Sequence, residues 1–427
     1  MNKKLFSEAM TEVNDKYYEE AACYQHRGNR TVWLKWGTMA AVLCFLISGT
    51  AALLNHGIRN TRVDEKPPVG SSDTTGTLVQ GQPETALPLL TVTYNSSESM
   101  GFEGYMAYDI SELINANPWN EEMELSTMPV FKNPLTYDTN YIATGADFDK
   151  MREFLLDIAG RFGLDANTLT ITDDVPDEET MRKINEKLQI DGDPVPDGYF
   201  APTSLIIKAD GLEIEVNQAM TAKISFDPAV PLPVEYNFTH HAPYEDIVAV
   251  AEYLKTEYKE MIDIDDPQVN IYDGSYNIYA QQGYSIEFFD ASGNDTEQIL
   301  NYNFNRTAFY CDDEGKLFLA RIYQPDLSEN VGDYPIITLK EASELLSNGN
   351  YITTVPYEMP GSEYVKKGEL IYLTREREEY YMPYYRFYVE LPEEKREYGL
   401  KDYGAYYVPA VREEYIANMP TWDGNFN

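Results

Sequence analysis

The chain is 427 residues long, with a formal net charge of −38 and 35 tyrosines. A field of that sign repels nucleic acid and anionic lipid, which excludes nucleic acid as a partner of the acidic region. The tyrosine content argues for a folded rather than a disordered chain, because disordered acidic sequences are poor in aromatics.

In chain order, the first segment is a tail, residues 1–32, whose pattern predicts an amphipathic helix. Leu5, Phe6, Ala9, Met10, Val13 and Tyr17 recur at three- and four-residue steps, and Ala21 and Tyr24 continue the row. Glu8, Glu12, Asp15, Glu19 and Glu20 cover the other face with a few lysines. A helix this short is marginal in isolation. Its apolar stripe is therefore read as a docking face for a cytosolic regulator, a sigma factor or a kinase, with the membrane surface as the other option.

Residues 33–55 predict a transmembrane helix. Trp36 to Leu54 carries no charge and is mostly apolar, and at about 1.5 Å per residue it covers roughly 28 Å, close to a bilayer's hydrocarbon thickness. Trp33 and Trp36 sit where interfacial aromatics belong. Six Lys or Arg precede the run and Arg59, Arg62 and Lys66 follow it, which favours a cytoplasmic N-terminus and an external C-terminal region. A cleaved signal peptide is the rival reading, against which stand the length of the run and the residues before it. Residues 56–88 read as a flexible linker, since Pro67 to Pro88 is rich in Pro, Gly, Ser and Thr.

Beyond residue 66 lie 24 basic and 64 acidic residues and 32 of the tyrosines. Cationic peptides, divalent ions or basic protein surfaces fit that field. Cys311 is the single cysteine beyond the span and so has no internal disulfide partner there. Two external α+β domains are expected, over 89–235 and 236–427.

The first begins with a helix from Asp147 to Arg161, then a strand at Thr168 to Thr172 and a helix at Glu178 to Leu188. A hairpin follows, Ser204–Lys208 with Leu212–Val216, turning at Asp210-Gly211. A strand from Ala222 to Phe226 ends at Asp227-Pro228. The order then repeats with a helix over Tyr244–Met261, a strand at Val269–Tyr272, a hairpin of Tyr276–Ala280 with Tyr284–Phe289, and another of Ala308–Cys311 with Lys316–Tyr323. That recurrence points to a duplicated unit. A short helix, Leu339–Leu346, precedes tyrosine-rich strands at Tyr351–Val355, Glu369–Thr374, Tyr384–Leu391 and Tyr403–Val411. The fold class expected is α+β: a single N-terminal transmembrane helix followed by antiparallel sheets with packed helices.

No pattern calls for catalysis, a cofactor or a metal. His240-His241 with Glu245 and Asp246 matches no established zinc spacing and reads as a loop leading into a helix. Asp191, Asp193 and Asp197, and Asp263, Asp265 and Asp266, lack the alternation of an EF-hand and read as turns. Arg386, set among aromatics, is expected to stack or to pair with an acidic neighbour.

The opening MNKKLFSEAMTEVNDKYYEEAA followed by VWLKWGTMAAVLCFLI resembles bacterial single-pass membrane proteins, uncharacterised or anti-sigma-factor-like. The outer hairpins and YYMPYYRFYVELP faintly resemble the secreted domains of the membrane-anchored YycH and YycI regulators of a cell-wall sensor kinase. Neither resemblance assigns a role to a residue. With the architecture they suggest a sensing or regulatory surface protein, expected from the lack of any catalytic pattern to have no enzymatic activity; the alternatives are a surface binding or structural module, or an anchored hydrolase.

Overall fold

The computed structural model describes residues 87–93, 104–138, 140–190, 195–394, 396 and 399–424. Among the described residues no helix is long and apolar enough to cross a membrane. The expected span at 36–54 and the tail helix lie outside the described residues. Residues Pro83–Asn427 form one compact unit, an α+β fold in which all the named strands pair antiparallel.

The described chain opens with β1 (Gly104–Ala107), β2 (Thr127–Lys132) and a short hairpin of β3 (Thr136–Tyr137) and β4 (Ala143–Thr144). Helix α1 (Phe148–Arg161) follows, its start fixed by Asp147, which accepts from the backbone N–H groups of Asp149 and Lys150. Then come β5 (Ile171–Asp173), α2 (Glu178–Ile190), β6 (Ser204–Ala209), β7 (Leu212–Asn217) and β8 (Thr221–Val230). The β6–β7 turn uses Gly211 at φ 73°, as the Asp-Gly signal predicts. Strand β8 does not stop at Asp227-Pro228; it runs on to Val230, and its register against the neighbouring strand shifts between Leu317 and Leu319. An irregularity of this kind lets a proline sit inside a strand.

The helix expected over Tyr244–Met261 is broken at Tyr258 into α3 (Tyr244–Glu257) and α4 (Lys259–Ile262). Strand β9 (Pro267–Tyr276) pairs with β10 (Gln282–Asp290), so the turn lies at 277–281 and the expected strand at Tyr276–Ala280 is mostly that turn. Asn277 explains the shift, because its side chain accepts from the N–H groups of Tyr279 and Gln281 and closes the loop early. Helix α5 (Asp295–Phe304), absent from the sequence reading, starts at a capping box of Asn294 and Glu297. Strands β11 (Arg306–Cys311), β12 (Leu317–Tyr323) and β13 (Asn330–Pro335) follow, then α6 (Leu339–Ser347), β14 (Ile352–Thr353), β15 (Val365–Tyr372), β16 (Tyr380–Tyr381), β17 (Pro383–Glu390) and β18 (Lys401–Pro409).

The largest sheet has the order β5-β6-β7-β8-β12-β11-β10-β9. Each run of four strands proceeds inward from an edge, and the two runs meet at the β8–β12 pair. The boundary expected between residues 235 and 236 falls in the link between β8 and α3, with strands from both sides of it in one sheet. Helices α1 and α3 cover one face. Met151, Leu155 and Ile158 from α1 and Val250 and Leu254 from α3 meet Ile207, Ile224, Phe288 and Ile322 in a core of mostly aliphatic side chains.

A second sheet, β1-β18-β17-β15 with β14 added to β18, is buried on both faces. Tyr385, Phe387 and Val389 point to one core with Leu346 of α6 and Phe304 of α5. Tyr384 points to the other with Tyr407 and Leu90. Burial on both faces explains the unbroken aromatic run of this strand, which half-exposed strands do not show. A three-stranded sheet, β13-β2-β16, completes the layer. Leu87 and Pro88, the end of the expected linker, are already seated there, with the Tyr334 hydroxyl donating to the Pro88 carbonyl at 2.9 Å.

Candidate functional site, an acidic cleft at the sheet edge

Between β1 and β2 the chain makes a single 3-10 turn, Ile110–Glu112, and then runs as a strap along the outer edge of β9. The turn is closed by Asp109 and Glu112, each side chain accepting from the backbone near the other. Ile114 and Asp273 exchange both backbone hydrogen bonds, at 3.0 and 3.2 Å, and the Ala116 N–H donates to Asn270 Oδ1 at 2.8 Å. Gly274 makes this approach possible. It lies at φ 91°, and a Cβ there would come within 2.1 Å of the Glu112 carbonyl oxygen.

The strap is also anchored in the second sheet. Asn117 Nδ2 donates to the Leu370 carbonyl at 3.0 Å, and Asn115 Nδ2 donates to Glu369 Oε2 at 3.0 Å. Glu369 is only 3% exposed and sits directly across the strand pair from Arg386. Arg386 donates to it through Nε at 2.8 Å and through Nη2, while Lys367 adds a second cation at 3.2 Å. Burial alone would raise the Glu369 carboxyl; Arg386, Lys367 and the Asn115 hydrogen bond outweigh it and bring it down to about 2. Arg386 also stands over the Tyr388 ring, 5.2 Å from its centroid, so both parts of the sequence expectation for this arginine are met.

Between the strap and α3 a cleft of about 750 Å³ opens, within the size range of small-ligand sites. Its floor is apolar, made by Ile114 with Val269 and Ile271 of β9. Its helical wall is the row Tyr244, Val248 and Glu252, spaced four residues apart on one face of α3. Tyr284 of β10 stands opposite, its ring centroid 5.4 Å from that of Tyr244. Glu112 closes the strap end. No Lys, Arg or His is among the residues lining the cleft.

The electrostatics are one-sided. Burial pushes the Tyr284 phenol up, and Glu112, Tyr244, Glu245 and Asp273 add to the shift. Burial also raises the Asp273 carboxyl, against hydrogen bonds from Ser275 that oppose the rise. Glu112 is spoken for by backbone N–H groups and by the Tyr276 hydroxyl at 3.4 Å, but faces no cation among the described residues. Glu252 likewise has no basic partner among them. The ionisable lining of the cleft is two carboxylates, Glu112 and Glu252, and two phenols, Tyr244 and Tyr284.

The sequence-predicted binding residues, Leu5, Phe6, Ala9, Met10, Val13 and Tyr17, lie outside the described residues. His240 and His241 do lead into α3, with Glu245 and Asp246 in its first turn. The structure brings His240 to Cys311, with Nδ1 3.6 Å from Sγ and Nε2 3.8 Å from Asp313 Oδ1. Burial pushes that thiol up to about 12, with Asp312 and Asp313 adding to the rise.

The cleft residues were hidden by their own type. Tyr244 and Val248 read as core positions of the helix, yet they are 42% and 37% exposed. The available signal was the width of the apolar stripe on α3, broader than one sheet contact needs. No protein-family model matches the chain, and no curated protein matches it.

Proposed function

We propose that this chain is a single-pass, membrane-anchored surface protein whose acidic outer region captures a ligand in the cleft beside α3 and has no catalytic role of its own. The tail helix, through Leu5, Phe6, Ala9, Met10, Val13 and Tyr17, engages a cytosolic regulator, a sigma factor or a kinase, as the resemblance of the first residues implies. Residues 36–54 cross the membrane, with the N-terminus in the cytoplasm. The matching inward order of the two four-strand runs supports reading the large sheet as a duplicated α+β unit.

The observation that carries the binding function is the double anchoring of the strap. One short segment is hydrogen-bonded to the edge of the large sheet and to the buried Glu369–Arg386 pair of the second sheet. A ligand seated against that segment touches the element that ties the two sheets together, which is where a sensing module gains from a binding event.

Two measurements test the proposal. Protease added to intact cells is expected to remove the outer region and spare residues 1–32. An outer region that resists digestion, or is shed into the medium, would overturn the anchored topology. A pull-down with residues 1–32 is expected to recover one specific cytosolic regulator, and its failure would leave a surface module without signalling.

A further inference from the structure

Resting on the reading of the cleft as a ligand site, we propose that its ligand carries an ammonium or guanidinium group on an apolar stem. The floor of Ile114, Val269 and Ile271 fits a hydrocarbon body, with Ser111, Asn115 and Gln282 as uncharged polar neighbours in the lining. Above that floor the rim is acidic at both ends, with Glu112 on the strap and Glu252 on α3. These two carboxylates meet no counter-cation among the described residues, although many acidic side chains elsewhere in the molecule do: Glu369 with Arg386, Asp326 with Lys150 and Glu287 with Arg306 are examples.

Two tyrosine rings, Tyr244 and Tyr284, pack edge to face in the lining with centroids 5.4 Å apart, and aromatic rings attract a cation that approaches them. An anionic ligand would meet repulsion from every charged residue of the wall. A neutral apolar ligand would fill the floor but leave the acidic rim unused. A cation on an apolar stem satisfies both, and the field of a chain with net charge −38 steers it in. Two sources share this chemistry: a free organic amine, and a Lys or Arg side chain displayed on a peptide.

The test is calorimetry on the full chain in uncharged detergent micelles at low salt. The probes are phenethylammonium, its neutral counterpart 2-phenylethanol, its anionic counterpart 3-phenylpropionate, and the dipeptide acetyl-Phe-Arg-amide. The two cationic probes are expected to bind in preference to the other two, and whichever is tighter assigns the source.

Glu252→Gln, at an exposed side chain with no partner among the described residues, is expected to weaken cationic binding by about fivefold. Adding Glu112→Gln, which keeps an acceptor for the Tyr108 and Asp109 N–H groups, is expected to bring the loss to roughly twentyfold. Unchanged melting temperatures would show that the fold is retained. If 2-phenylethanol binds as tightly as the amine, or if the double variant binds the amine as the parent does, the cationic assignment fails while the cleft survives as a ligand site. If no probe binds, the cleft reading and this inference fall together.

Discussion

The cores on the two larger sheets are built from different materials. Beneath α1 and α3 the large sheet is filled mainly by Ile, Val, Leu, Met and Phe. The second sheet is filled by tyrosine, with Tyr384, Tyr403, Tyr406 and Tyr407 among its fully buried side chains. The difference follows from what covers each sheet. A helix satisfies its own backbone, so hydrocarbon alone can lie beneath it. The second sheet is covered by α5 and α6 and by irregular chain, and its tyrosine hydroxyls reach carbonyls of both strand and loop. Tyr372 donates to the Pro129 carbonyl of β2 at 2.8 Å, and Tyr385 and Tyr406 donate to the loop carbonyls of Ile337 and Tyr357 at 2.9 Å. Tyrosine fills the core with its ring and ties down a loop with its hydroxyl.

The sharpest way to break the second core is through its charge. Glu369→Ala leaves Arg386 buried without its carboxylate and is expected to destabilise the fold by about 3–5 kcal/mol in urea unfolding. Because the folded Glu369 carboxyl sits at about 2, below its usual 4.5, its stabilisation is complete above the higher value and drains away as the pH falls through the lower one. The parent should therefore lose stability over that acid range and the variant should follow a flatter curve; parallel curves would remove Glu369 from the account.

The aliphatic core gives a comparable but chemically plain loss. Leu254→Ala, at a fully buried position of α3, is expected to cost about 2–5 kcal/mol by leaving a cavity, with no dependence on pH. Next in size comes the strap. Gly274→Ala places a methyl group against the Glu112 carbonyl at a positive φ and is expected to destabilise by about 1–3 kcal/mol. Hydrogen exchange should quicken at Ile114 and Ala116 first; an unchanged pattern there would show that the strap is held by other contacts.

The smallest effects separate two tyrosines of one sheet. Tyr372→Phe strands the buried Pro129 carbonyl and should cost about 1–3 kcal/mol. Tyr384→Phe removes a hydroxyl that has no hydrogen-bond partner among the described residues, so it should be neutral or slightly stabilising. Equal losses at both positions would mean that the hydroxyl tethers do not distinguish this core from the other.

Much of this architecture could be read from residue order. The α1 stripe, the Asp-Gly turn of β6–β7, the β11–β12 hairpin and most of the tyrosine strands follow from local periodicity. What stayed hidden depends on partners distant in sequence. Strands β1, β2 and β13 form because β18, β16 and one another lie alongside, and nothing within four to six residues announces that. Helix α5 did carry a local sign in Asn294 and Glu297, but Tyr302, Asn303 and Phe304 at its end blur the apolar period. The cleft is invisible for a third reason: it is a gap, framed by a strap and a helix more than a hundred residues apart.

The meeting of the strand runs at β8 and β12 has a consequence for how the molecule comes apart. Between β8 and α3 the chain crosses an exposed stretch where Val234 is 99% exposed, an open target for a protease. Cleavage there would sever the backbone yet leave a ladder of hydrogen bonds, from Thr221–Tyr323 to Val230–Leu317, spanning the wound. The nicked protein should migrate as one particle until denaturant unzips it, and its separated pieces, once mixed, should find each other along that same edge.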